Sequence, residues 1–115
     1  MKILTIYDGT FQAKTALHYG IEKIREKGGE LIVLQVFQSN LFIDYGAGPR
    51  AEELARAEAM RYKLEAEKII RESGQAVAFR MVTEDGDPGQ EILRVAEREH
   101  ADLVLATPRH KRISK

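Results

Sequence analysis

Apolar side chains recur along this chain in two alternating rhythms. Ile3, Leu4 and Ile6 form a short, nearly unbroken run that stops at Tyr7-Asp8-Gly9-Thr10, the pattern of a buried strand followed by a turn. Phe11, Ala13, Leu17, Ile21 and Ile24 then return at helical spacing, with Gln12, Lys14, Glu22, Lys23, Arg25 and Glu26 on the opposite face. Thr10 is placed to cap that helix and Gly28-Gly29 to end it. Leu31 to Phe37, rich in branched residues, reads as a second strand.

The second half repeats the alternation. Arg50 to about Ser73 predicts a long helix, with Leu54, Ala57, Met60, Leu64 and Ile69 expected on its buried side. Such a helix spans about 33 Å against roughly 20 Å for a six-residue strand, so part of it must overhang the sheet. Ala76 to Val82 supplies a third strand, interrupted only by Arg80. Asp87 as N-cap, Pro88 at the first helical position and Gln90 completing a capping box start a further helix. Ile92, Leu93, Val95 and Ala96 form its apolar face, His100 lies near its C-terminal end, and Asp102 to Ala106 gives a fourth strand. The order β-α-β-α-β-α-β predicts an α/β fold, an open parallel sheet with helices on both faces.

Composition narrows the partners. The 115 residues make one domain, expected over 1–107, followed by a basic tail at 108–115. Eighteen basic and eighteen acidic residues cancel, which argues against nucleic acid or an anionic membrane as a general partner. Arg109, Lys111, Arg112 and Lys115 nevertheless concentrate positive charge in the tail, leaving a net charge of minus four on the preceding 107 residues. The chain has no cysteine, hence no disulfide framework and no thiolate metal site. No apolar run approaches the roughly 20 residues of a membrane span, and a cytoplasmic location is expected.

Gln38 to Pro49 is a long connection whose middle, Leu41, Phe42, Ile43 and Tyr45, is apolar and is expected to cap the core beneath the following helix. Gly46-Ala47-Gly48-Pro49-Arg50-Ala51 matches a dinucleotide-binding pattern by letter, but it closes this connection instead of forming the tight first strand-to-helix turn, so an ordinary flexible approach to a helix is the preferred reading. His18, His100 and His110 are scattered, and the serines lack a nucleophile-elbow setting, so catalysis is not indicated. Asp8 is the first candidate for a ligand contact, because the carboxyl ends of strands in open α/β sheets border the binding crevice. A response-regulator-like receiver shares this architecture and is a further alternative. It would need carboxylates clustered for magnesium, whereas Asp8 stands alone after the first strand and Thr83, Glu84 and Asp85 end the third.

Ile3 to Thr10, Ala13 to Lys27, Glu30 to Val36, Glu84-Asp85-Gly86-Asp87-Pro88 leading into Glu91-Ile92-Leu93, and Ala101-Asp102-Leu103-Val104-Leu105 together resemble the universal stress protein family. The Gly-Asp-Pro, Glu-Ile-Leu and Ala-Asp-Leu-Val strings are the more specific portion. The resemblance implies strand order 3-2-1-4 and an adenine-nucleotide site in which a residue matching Asp8 contacts the adenosine part and backbone near Val36 meets the base. ATP or AMP would be the ligand. Family members hold phosphates on a glycine-rich stretch after the fourth strand, whose backbone N–H groups wrap the anion.

Here that stretch reads Ala106-Thr107-Pro108-Arg109-His110-Lys111-Arg112, with Thr107 and His110 replacing the first two glycines. Either Arg109, Lys111 and Arg112 substitute side-chain charge, which would put Thr107 and Arg109 in the site, or the site does not hold phosphates. The second reading is preferred. The family's fifth strand is also missing, which would leave Leu103 to Ala106 as an apolar edge able to recruit another chain. The resulting expectation is a stress-response binding or signalling module with a degenerate nucleotide site, acting as a homodimer or through a protein partner on that edge. An ATP-binding member with slow hydrolysis is the alternative.

Overall fold

The computed structural model describes residues 1–38 and 50–106. Seven elements follow in order: β1 (Lys2–Ile6), α1 (Phe11–Lys27), β2 (Glu30–Phe37), α2 (Ala51–Glu72), β3 (Ala78–Asp85), α3 (Pro88–Glu99) and β4 (Leu103–Leu105). The strands form one parallel sheet in the order β3-β2-β1-β4, the α/β architecture expected from the sequence. The apolar runs in β1 and β2 reflect their central places, where alternate side chains enter two different cores. On one face Ile3, Tyr7, Leu31 and Val33 meet Ala13, Leu17, Ile21 and Ile24 of α1 and Ala66 and Ile70 of α2. On the other, Leu4, Ile32 and Leu34 meet Val95 of α3.

Helix ends behave as their residues dictate. Thr10 caps α1 by accepting from the Ala13 N–H at 3.1 Å. Gly28, at φ 79°, closes the same helix, its N–H donating to the Ile24 carbonyl. Asp87 caps α3 through the Gln90 N–H at 3.1 Å, with Pro88 in the first turn. His100 ends α3 in the left-handed conformation, φ 57°.

Three expectations are corrected. The buried side of α2 is a stripe of small residues, Ala51, Ala55, Ala59 and Ala66, ending at Ile70. Leu54, Met60 and Leu64, expected inside, are 38, 49 and 57% exposed, and Ala57 is exposed as well. Alanines let the helix axis lie close to the sheet, and that close approach decides which side faces inward. Second, β3 runs three residues further than expected, through Thr83, Glu84 and Asp85. It is an edge strand, so exposed polar positions are tolerated, and Glu84 pairs with Arg94 at 3.0 Å and Arg98 at 3.4 Å of α3. Third, Phe11 begins α1 but is 79% exposed and not part of its buried face, which starts at Ala13.

The end of the sheet where the strands begin is closely tied. The Lys2 N–H donates to the Asp102 carboxylate and the Asp102 N–H to the Lys2 carbonyl, both at 2.8 Å. The Glu30 N–H donates to the Met1 carbonyl at 2.9 Å. Arg80 bridges Glu30 at 3.4 Å and Glu99 at 2.6 Å, joining β3 to β2 and α3. Among the described residues no helix is long and apolar enough to cross a membrane. The apolar segment Leu41 to Tyr45 and the tail lie outside the described residues.

Candidate functional site

In this strand order the chain leaves β1 toward β2 and later returns to its other side as β4, so β1 and β4 flank the switch point where open sheets admit ligands. At the carboxyl end of β1 the chain turns sharply through Asp8, Gly9 and Thr10. The Asp8 carboxylate accepts from the Thr10 N–H at 3.1 Å and from the Thr10 hydroxyl at 2.7 Å. This local turn orients Thr10 as the helix cap, so one carboxylate organises both the loop and the start of α1.

Helix α2 packs down on the same turn. Gly9 sits at φ 81°, and a Cβ there would stand 2.5 Å from the Tyr62 ring, so both the backbone and the space require glycine. Tyr62 meets the buried Tyr7 ring edge to face, centroids 6.4 Å apart. The Tyr7 hydroxyl donates to the Glu65 carboxylate in a short hydrogen bond. Burial, first, and then that hydrogen bond and the negative charges of Glu65 and Asp8 raise the Tyr7 pKa well above the ordinary phenol range.

Between these parts lies a cleft of about 340 Å³. Ile6, Asp8 and Thr10 form one wall, Gln35 to Gln38 of the β2 end another, Glu58, Ala59 and Tyr62 of α2 cover it, and Pro88 of α3 closes a side. Asp8 and Val36, singled out from sequence, therefore share one cavity. Thr107 and Arg109 lie outside the described residues. Glu58, Tyr62 and Gln35 escaped the sequence reading. Gln35 is buried, its amide reaching the Val33 carbonyl at 3.5 Å and accepting from the Thr83 hydroxyl at 3.4 Å, both at the long limit of a hydrogen bond. The Ala51-Ala55-Ala59 spacing was the one signal that could have placed Glu58 and Tyr62 beside the sheet.

The other candidate groups are placed elsewhere. Glu84 is tied to the arginines of α3, and His18 lies exposed on α1. Among the described residues no group of three or more His, Cys, Asp or Glu side chains could hold a metal ion.

Comparison with known proteins places this geometry. Solved structures of the same fold include the universal stress protein UspA from Lactobacillus plantarum, with TM-score 0.79 and 19% identity over 98% of this chain and 83% of that one. Another, from Archaeoglobus fulgidus, has TM-score 0.70 and 20% identity over 92% of this chain and 73% of that one. A universal stress protein in complex with cAMP matches with TM-score 0.64 and 15% identity, over 90% of this chain and 69% of that one. No curated protein sequence matches this chain. The model of the universal stress protein family matches residues 1–115, and the chain belongs to that family.

Proposed function

We propose that this chain is a binding module of the stress response whose cleft takes the adenosine part of an adenine nucleotide such as AMP or ATP. The observation that carries the reading is the meeting of Asp8 and Val36, from the carboxyl ends of the two central strands, in one cavity beside the switch point. Its lining suits a nucleoside. Ile6, Val36 and Pro88 offer apolar surface to a flat base, and the Asp8 carboxylate can accept from ribose hydroxyls. The universal stress protein crystallised with cAMP supports an adenine ligand for this fold. Isothermal titration of the full chain with adenosine, AMP and ATP tests the reading: binding that weakens at least tenfold in Asp8→Ala is expected. Absence of heat with all three at millimolar concentration overturns it.

A second reading concerns how occupancy is passed on. Among the described residues β4 pairs only with β1, and Val104 on it is 40% exposed. An apolar edge strand of this kind favours a second copy or another protein along Leu103 to Ala106. Size-exclusion chromatography with light scattering should show a dimer at micromolar concentration. A monomer that persists at that concentration sinks this part of the reading alone.

A further inference from the structure

We infer that the cleft selects the uncharged nucleoside over its di- and triphosphates, and that Glu58 is the residue that discriminates. The inference rests on the adenosine reading above and adds a direction to it. Among the described residues lining the cavity, the formally charged side chains are Asp8 and Glu58, both carboxylates. The remaining polar lining consists of neutral groups, the Thr10 and Tyr62 hydroxyls, the Gln35 and Gln38 amides and Tyr7, whose hydroxyl is given to Glu65. Such groups exchange hydrogen bonds with sugar hydroxyls and base edges, whereas phosphate oxygens require cations or unspent N–H donors.

Among the described residues the usual sources of positive potential are already offset. Three helices begin at this end of the sheet; α1 and α3 each carry a carboxylate at the N-terminus, and α2, whose end has no side-chain cap, holds Glu52 and Glu53 in its first turn. Asp8 accepts from the Thr10 N–H ahead of α1, and Asp87 from the Gln90 N–H in the first turn of α3. The partial charge that would draw a phosphate to these ends is therefore offset from within. Cations of α2 near the cavity are turned to other work. Arg61 lies 4.9 Å from the Tyr62 ring and donates to its hydroxyl at 3.1 Å. Arg56 pairs with Glu52 at 3.0 Å and lies 5.3 Å from the Phe37 ring.

Glu58 is exposed on α2, so its charge can be removed without disturbing the frame. Titration of the wild-type chain and Glu58→Gln with adenosine and with ATP, without added metal, tests the inference. Wild type should bind adenosine at least as tightly as ATP. Glu58→Gln should raise the affinity for ATP relative to that for adenosine by about fivefold, as expected for removing one exposed carboxylate that faces a polyanion. ATP binding tenfold tighter than adenosine in wild type, the outcome if Arg109, Lys111 and Arg112 grip the phosphates, overturns the inference and spares the adenosine site. An unchanged ATP-to-adenosine ratio in Glu58→Gln also overturns it. Failure of both ligands to bind removes the adenosine reading itself, and the selectivity with it.

Discussion

Gly9 and Tyr62 lie so close that the ring of one occupies the space where a side chain on the other would begin, 2.5 Å from the position of a Cβ. Substitution by alanine must then bear both a left-handed backbone, φ 81°, and a collision. Gly9→Ala should cost about 2–3 kcal/mol in urea unfolding. Combining it with Tyr62→Ala should cost less than the two changes added together, because the second makes room for the first.

Tyr7 and Glu65 give a pH-dependent contribution whose sign is determined by the raised phenol pKa. Folding favours the protonated phenol, so stability is fully present below the unfolded value of about 10 and is lost as pH climbs toward the folded one. Tyr7→Phe should cost about 1 kcal/mol at neutral pH. The gap between wild type and Tyr7→Phe, measured by denaturant titration at a series of pH values, should close above about pH 10.

Asp8 holds the turn through an acceptor oxygen, and its charge is a separate property. Asp8→Asn keeps an acceptor for the Thr10 N–H and hydroxyl, whereas Asp8→Ala removes it. Alanine should destabilise by about 1 kcal/mol and asparagine by less than half of that. Thermal melts of the two variants beside adenosine titrations separate turn formation from ligand contact: a common loss of affinity in both would assign the charge itself to binding.

Thr5 is fully buried in β1 and its hydroxyl has no hydrogen-bond partner among the described residues. A methyl group in its place removes an unsatisfied polar atom. Thr5→Val should therefore raise the melting temperature, by an amount corresponding to about 1 kcal/mol. A lower melting temperature would show that the hydroxyl finds a partner in solution.

The orientation of α2 can be checked by opposite responses on its two sides. Ala59 lies against the sheet and Leu64 looks outward. Ala59→Leu should overpack the interface and cost about 1–3 kcal/mol, while Leu64→Ala should change stability by less than about 0.5 kcal/mol. The reverse pattern in chemical denaturation would return the helix to the orientation suggested by its larger apolar residues.

That reversal shows which parts of the molecule its sequence reveals. Strand and helix order, the caps at Thr10 and Asp87 and the parallel arrangement follow from local chemistry: a hydroxyl or carboxylate beside orphan N–H groups, and runs of branched residues between turns. Local chemistry did not place the inward side of α2, since alanine is weakly apolar and Leu54, Met60 and Leu64 dominate any reading by hydrophobicity. The same blind spot hid half of the cleft. Asp8 and Val36 were visible as the ends of strands, but Glu58 and Tyr62 reach the cavity only because α2 lies close to the sheet along its alanines. Glu84 and Asp85 fall beyond the apolar run Ala76 to Val82, and charge on a strand is legible only once the strand is known to be outermost.

The ties among Met1, Lys2, Glu30, Arg80, Glu99 and Asp102 bind the molecule like the spine of a book. With the pages fixed along that margin, small adjustments are directed to the opposite margin, where α2 rests on the first turn through two aromatic rings and a glycine. Amide hydrogens near the binding margin should exchange sooner than those along the spine, so a guest can be accommodated there without unbinding the volume.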